Sequence, residues 1–155
     1  MNPAKTSPLR SWIDVPPDHD FPLANLPYGV FEDDRPARVG VAIGDFVFDL
    51  RAAHDAGLFD GTVVAHENVF ARGSLNAFMA LGRHAWSDVR HWLTNLLSAD
   101  NPTLIDDAPL RRRLLIPQAQ VRMRLPVEIG DFTDFYASKH HATNVGSMFR
   151  DPANP

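Results

Sequence analysis

Apolar and polar residues alternate most regularly on the two sides of a Gly-Asp pair. The apolar positions are Val39, Val41 and Ile43 before the pair, then Phe46, Phe48 and Leu50 after it. A period of two is the period of a β-strand, in which successive side chains point to opposite faces. Two such runs joined by Gly44-Asp45 are typical of a tight type I′ or II′ turn. The pattern therefore predicts a β-hairpin, with the small residues Gly40 and Ala42 on its other face.

A helical pattern begins at Ser74 and ends at the Asp100-Asn101-Pro102 run. Apolar residues then recur with offsets of about 3, 4, 7 and 11, which keep to one face of a helix. Gly82 lies on this face, so it either breaks the helix in two or permits a close approach. We predict that the apolar face is core. Its members are Leu75, Phe78, Met79, Trp86, Val89, Leu93, Leu96 and Leu97.

Weaker patterns predict shorter elements. Asp49 is a candidate cap for a helix over 50–56 that Gly57 ends. Prolines exclude a helix from the first 30 residues, which we expect to lie extended over the core. The remaining predictions are a turn over 25–29, a strand over 62–64, a helical turn over 109–115 and a strand over 121–125.

Composition narrows the class of protein. A chain of 155 residues predicts one domain or slightly more. Lys and Arg total 15 against 19 Asp and Glu, and this net charge of −4 argues against a nucleic-acid-binding protein. The absence of cysteine excludes a disulfide scaffold, a thiolate metal site and a cysteine nucleophile. No apolar run approaches the ~20 residues that span a bilayer. Because the first eight residues also lack the apolar core of a signal peptide, we expect a cytoplasmic protein with no membrane association.

Chemically capable side chains concentrate in residues 130–150. If residues 131–136 are extended, Asp134 and Tyr136 share one face. Ser138 is a candidate N-cap for a helix that begins at the next residue. On that helix, His141 is predicted to point toward the space that Asp134 and Tyr136 face.

The side chains in this segment suggest distinct roles. Asp134 is a hard oxygen ligand of the kind that Ca²⁺ or Mg²⁺ takes. His141 is suited to general-base chemistry near neutral pH. Tyr136 is a hydrogen-bond donor, and Arg150 at the helix end is suited to binding a carboxylate. Each residue also has an ordinary alternative as a cap, core or surface residue, and spacing alone leaves the two interpretations open.

The same residues resemble the fumarylacetoacetase family. The run from Gly130 to Arg150 is similar to a family signature, and the similarity extends in order over residues 19–150. The other matching motifs are Asp20-Phe21-Pro22, Asn25-Leu26-Pro27-Tyr28-Gly29-Val30-Phe31, Arg38-Val39-Gly40-Val41-Ala42-Ile43-Gly44, Leu75-Asn76, Phe78-Met79, Leu81-Gly82, Trp86 and Asn95-Leu96-Leu97-Ser98.

The resemblance implies a mainly β fold with helices, of the α+β class. Residues 1–120 would form an SH3-like small β-barrel domain with helical additions. Residues 121–155 would be the opening segment of a β-rich catalytic domain. Family members of full length form homodimers, largely through the catalytic domain.

The resemblance also implies a reaction, the hydrolysis of a carbon–carbon bond in fumarylacetoacetate to fumarate and acetoacetate. By motif, Asp134 matches a ligand of a divalent metal, usually calcium, with magnesium as the alternative. Tyr136 and Arg150 match substrate-binding residues, and His141 matches the base that activates water. His140 stands where the family often has Gln, at a position without a catalytic role.

The remaining parts of the family's site come after the position that matches Arg150. They are further carboxylate ligands, a carboxylate that orients the histidine, and a lysine with other oxyanion donors. We therefore expect an N-terminal portion of the enzyme that is inactive by itself and leaves residues 121–155 without their catalytic partners. The alternatives are a non-catalytic binding or regulatory module that associates with a full-length homologue, and complementation by a separate catalytic chain.

Overall fold

A computed structural model describes residues 9–151, which adopt an α+β fold with a curled, antiparallel sheet. The strands are β1 (Tyr28–Glu32), β2 (Arg38–Ile43), β3 (Phe46–Asp49), β4 (Leu115–Pro117) and β5 (Arg122–Arg124). Their order in the sheet is β4-β3-β2-β1-β5. The helices are α1 (Leu50–Asp55), α2 (Asn76–Ala80), α3 (Gly82–Leu96), α4 (Pro102–Ile105), α5 (Ala108–Leu114) and α6 (Lys139–Phe149). The first eight residues, on which the signal-peptide prediction depends, lie outside the described residues.

The predicted hairpin is confirmed as β2 and β3. Ile43 pairs with Phe46 across a two-residue turn, and Gly44 has a φ of +51°. Glycine adopts this left-handed conformation without the steric cost of a Cβ. At the end of β3, the Asp49 carboxylate accepts a hydrogen bond from the backbone N–H of Ala52. The predicted capped helix after the hairpin is therefore also confirmed.

Gly82 divides the predicted long helix into α2 and α3. Its φ is +80°, and a Cβ on it would meet nothing within 4 Å, so it breaks the helix and does not permit a close approach. Val89 and Leu93 of α3 are fully buried, as the stripe predicted. Met79 and Trp86 are 49% and 39% exposed, so the prediction of core positions is wrong for these two. Because the break redirects the chain, α2 and α3 do not share one continuous face.

Two short-range predictions are also corrected. Residues 62–64 form turns and no strand, because Thr62 donates its backbone N–H to Phe59 and its carbonyl accepts from Ala65. The turn predicted over 25–29 lies earlier, where the Asn25 N–H donates to the Pro22 carbonyl at 2.8 Å. Residues 28 and 29 are already in β1, since the ladder there uses their backbone groups.

The main core lies between one face of the sheet and the helices. Its buried members come from the N-terminal segment, the sheet and the helices, and they are Ile13, Leu23, Leu26, Val30, Val39, Val41, Ile43, Phe48, Leu50, Ala53, Phe59, Val64, Val69, Phe70, Phe78, Val89, Leu93, Leu96, Leu97, Leu104 and Leu114. A smaller cluster on the other face contains Phe31, Val47 and Ile116. A Cβ on Gly40 would lie 2.6 Å from Val47 Cγ1. The small residue at position 40 therefore permits this close packing.

A buried ion-pair network joins the strands to α1. Arg38 and Asp49 are almost fully buried, and Arg38 Nε donates to Asp49 Oδ2 at 2.6 Å. The guanidinium also donates to Asp33 at 2.8 and 3.0 Å. Hydrogen bonds from Arg38 and Arg35 hold the pKa of Asp33 well below its ordinary value. Stabilisation from Asp33 is therefore present above pH ~4 and is lost as the pH falls below it.

Tyr28 presents an unusual polar group beside the core. Its ring lies 5.2 Å from that of Phe78, and the Arg90 guanidinium lies 4.9 Å from its centroid. Its hydroxyl is buried and has no hydrogen-bond partner among residues 9–151. Burial raises the pKa of Tyr28 to about 12, although the charge of Arg90 opposes the shift.

We expect Tyr28→Phe to stabilise the chain by about 1 kcal/mol at pH 7, because it removes a buried hydroxyl that lacks a partner. Between pH 10 and 12 the unfolded wild type releases the tyrosine proton and the folded form retains it, so wild-type stability falls as the pH rises. The variant lacks this loss. Urea unfolding at pH 7 and above pH 10 measures both effects. Tyr136→Phe, at the 58% exposed tyrosine, is the control. A larger loss of stability in Tyr28→Phe than in the control would contradict the assignment.

No helix in the described part of the chain is both long enough and apolar enough to cross a membrane. The predicted domain boundary after residue 120 stays a prediction. Strand β5 follows this boundary and pairs with β1 in the sheet.

Candidate active site

Hydrogen bonds from the start of α2 hold residues 126 and 128, just before the candidate site. We call this pair of attachments the clamp. The Leu75 N–H donates to the Pro126 carbonyl at 2.7 Å. The Asn76 side chain accepts from the Glu128 N–H at 2.9 Å and donates to the Glu128 carbonyl at 3.1 Å. One amide thus pairs with both backbone groups of residue 128. This attachment orients the start of the segment that carries the predicted site residues.

The predicted helix in this segment is confirmed as α6. The Ser138 hydroxyl accepts a hydrogen bond from the His141 N–H at 3.1 Å, which satisfies a free donor of the first turn. The Ser138 backbone is extended, so the helix begins at the residue after this cap. No residue of α6 is buried. The helix therefore forms from its local sequence without a hydrophobic face against the core.

The structure brings Tyr136 and His141 together. Their ring centroids lie 5.5 Å apart at an interplanar angle of 61°, an edge-to-face arrangement. The contact joins the residues just before the Ser138 cap to the first turn of α6. The phenol and the imidazole are therefore neighbours in space, as the sequence predicted.

Neither Asp134 nor Arg150 takes part in the ring contact between Tyr136 and His141. The Asp134 carboxylate is exposed and makes no hydrogen bond or ion pair within residues 9–151. Arg150 ends α6, about 13 Å along the helix axis from His141. A groove along α6 nevertheless has both Tyr136 and Arg150 in its lining, with Lys139 as a second cation. The sequence interpretation missed Lys139, although its spacing of 11 residues from Arg150 places the two on one helix face.

The described residues do not complete a metal site. Within residues 9–151, no group of three or more His, Cys, Asp or Glu side chains is placed to hold a metal ion. Calcium takes six to eight oxygens, and Asp134 supplies one or two. Asp134 therefore fits the role of a single ligand, and the remaining ligands would have to come from outside this part of the chain.

The segment around the site exposes an unusual amount of apolar surface. Phe132 and Phe149 are each 84% exposed, and Phe135 is 75% exposed. Other exposed large side chains in the same stretch are Met123, Leu125, Ile129, Tyr136 and Met148. Soluble proteins rarely leave contiguous apolar surface of this kind uncovered. Within residues 9–151, these apolar side chains are therefore left open to solvent.

The sequence interpretation also missed the partnership of Arg38 and Asp49. The signal was present in the hairpin, since a two-residue turn at 44–45 sets residue 49 opposite residue 40. Residues 38 and 40 share a face, so Arg38 and Asp49 are diagonal neighbours on it. Asn76 was noted in the family resemblance, but no pattern indicated that residue 128 would be its partner.

Comparison with known proteins places the chain in a class of hydrolases. A family model described as "Fumarylacetoacetase N-terminal" matches residues 24–126, which is most of the chain. The chain belongs to the fumarylacetoacetase family.

Individual relatives agree with this assignment. The chain is 52% identical over 148 residues to a fumarylacetoacetase of Homo sapiens, covering 93% of this chain and 35% of the relative. It is 49% identical to the fumarylacetoacetase of Arabidopsis thaliana, covering 94% of this chain and 35% of that protein. It is 44% identical to the fumarylacetoacetase of Oryza sativa subsp. japonica, covering 100% of this chain and 37% of that protein. The chain therefore spans about a third of the length of these relatives.

Proposed function

We propose that the chain is the N-terminal portion of a fumarylacetoacetase, which hydrolyses a carbon–carbon bond of 4-fumarylacetoacetate to fumarate and acetoacetate in tyrosine and phenylalanine breakdown. The observation that carries the proposal is the similarity to named fumarylacetoacetases across almost the whole chain. The contact between Tyr136 and His141 supports it, because a base and a hydrogen-bond donor lie side by side.

In this proposal, His141 takes a proton from water, and the hydroxide attacks the substrate carbonyl carbon. The carbon–carbon bond then breaks, its electron pair leaves as the enolate of acetoacetate, and that enolate takes up a proton. The attacked carbon becomes a carboxyl group of fumarate. Water supplies all the added atoms, so no oxidant or reductant is needed.

Tyr136 and Arg150 hold the substrate in this scheme. The substrate is a dicarboxylate, and a guanidinium binds a carboxylate through two parallel hydrogen bonds. The groove on α6 supports a shared role, since both residues line it. Asp134 contributes one ligand to a calcium or magnesium site. When bound, the ion would act as a Lewis acid on the substrate oxygens.

The proposed function also implies a domain organisation, a location and an oligomeric state. The curled sheet with its helices is an SH3-like small barrel over residues 1–120, and the catalytic domain begins at residue 121. The complete enzyme is cytoplasmic and homodimeric, with a small-molecule substrate and no nucleic acid or membrane as a partner.

The test is a hydrolysis assay of the 155-residue chain with fumarylacetoacetate and added Ca²⁺, which follows the loss of the substrate's enol absorbance. We expect no turnover, because Asp134 alone cannot supply a calcium ligand set. A full-length chimera, in which this chain replaces the 148-residue stretch that it matches in the Homo sapiens relative, is expected to turn over. Turnover by the isolated chain that His141→Ala abolishes would contradict the inactive-fragment prediction. A folded chimera without turnover would contradict the proposed function.

A further inference from the structure

A shallow, wholly apolar depression lies where α2 and the start of α3 meet β1. We name it the Trp86 patch, and its residues are Tyr28, Leu75, Phe78, Met79 and Trp86. Phe78 is buried, whereas Met79 and Trp86 are 49% and 39% exposed. No charged side chain lines the patch. An apolar surface, and not an anion or a cation, is the partner that it suits.

The patch is held in place by a hydrogen bond. The Trp86 indole N–H donates to the Phe78 carbonyl at 3.0 Å. Because indole has no other polar hydrogen, the ring offers only apolar surface to a partner. The ring orientation is fixed before any partner arrives, which lowers the entropy cost of docking.

The patch is continuous with the clamp that leads to the candidate site. Leu75 belongs to the patch and also donates its N–H to Pro126. The next residue, Asn76, pairs with Glu128, and Ile129 immediately after it is 72% exposed. The polypeptide that follows residue 128 therefore starts at the edge of the patch.

We propose that the Trp86 patch is the docking surface for the catalytic part of the enzyme, the polypeptide that follows the matched stretch in the longer relatives. This inference rests on the proposed function. The matched stretch is only 35% of the Homo sapiens relative, so the remaining part is large enough to cover the patch. In this proposal the catalytic part also buries the exposed apolar residues of 129–149, beginning with Ile129 immediately after the clamp.

Thiol labelling tests the inference directly, because the chain contains no cysteine. Met79→Cys places a thiol in the patch, and Val63→Cys places one at a 60% exposed position in the loop after α1. Each variant is made in the 155-residue chain and in the full-length chimera with the Homo sapiens relative. Labelling by a maleimide is read at the peptide that contains the new cysteine.

We expect the Met79→Cys thiol to react at least tenfold more slowly in the chimera than in the isolated chain, and the Val63→Cys thiol to react equally in both. Equal rates at position 79, or equal protection at both positions, would overturn the assignment. Protection in the isolated chain that grows with its concentration would identify a second copy as the occupant and would also overturn it.

Failure of this inference is distinguishable from failure of the proposed function. Turnover by the chimera with no protection at position 79 would overturn the docking surface alone. Protection at position 79 in a folded chimera without turnover would overturn the catalytic proposal alone. Should the first chimera not fold, the same substitutions in a chimera with the Caenorhabditis elegans relative, 51% identical, give the same comparison.

Discussion

An Asp49→Ala variant is expected to lose roughly 3 kcal/mol of unfolding free energy at pH 7, because the buried Nε of Arg38 loses its acceptor and Asp33 alone is left to balance the guanidinium. Asp49 is 0% exposed and Arg38 is 1% exposed, so water cannot replace the missing carboxylate. The variant also loses the cap of α1, since Asp49 Oδ1 accepts from the Ala52 N–H at 2.9 Å. Urea unfolding followed by circular dichroism measures the loss.

Asp34, in the same loop as Asp33, offers a matched control. Asp34→Ala removes an exposed carboxylate near the same network and is expected to change stability by less than about 0.5 kcal/mol. Asp49→Asn separates the two roles of the residue, because an amide oxygen still caps α1 while the negative charge is lost. We expect its stability to lie between those of the wild type and Asp49→Ala. Equal stability of Asp49→Ala and Asp34→Ala would show that the ion pair does not support the fold.

A His141→Asn variant of the full-length chimera is expected to hydrolyse fumarylacetoacetate about 10²- to 10⁴-fold more slowly, the range for loss of a general base. Asparagine is polar and still donates and accepts hydrogen bonds, but it does not take a proton from water at neutral pH. The loss is therefore expected in kcat, with little change in KM. Steady-state kinetics on the purified chimera separates the two constants.

His140→Asn is the matched control for this experiment. It makes the same chemical change one residue earlier, about 100° around the helix. We expect kcat to stay within about twofold of the unsubstituted chimera. Comparable losses in the two variants would indicate damage to α6 and not removal of a base. Unchanged kcat in His141→Asn would rule out His141 as the base.

The sequence alone predicts the elements that depend on neighbouring residues. Alternation and Gly44-Asp45 predict the β2–β3 hairpin, Asp49 predicts the start of α1, and Ser138 predicts the start of α6. In each case the deciding interaction is a turn, a side-chain period or a cap, and it spans only a few residues. The family resemblance is equally a property of local motifs, and the comparisons confirm it.

A local sequence pattern does not predict the structure of a segment whose residues fit more than one conformation or environment. The β-branched residues at 62–64 resemble a strand, but their backbone groups are used in turns and no neighbouring strand reaches them. Met79 and Trp86 fit the helical period of the core stripe. The break at Gly82 redirects the chain and leaves both side chains partly exposed. Propensity describes one segment, whereas burial depends on which segments meet.

Only the tertiary structure decided the distant pairings. Val30 pairs with Arg124, Asn76 pairs with Glu128, and Arg38 meets both Asp33 and Asp49 in the interior. It also showed that Tyr136 contacts His141 and that Tyr136 and Arg150 line one groove along α6. Short-range order follows from the backbone and its nearest side chains. Contacts between distant residues follow from the packing of the whole core, which no local pattern encodes.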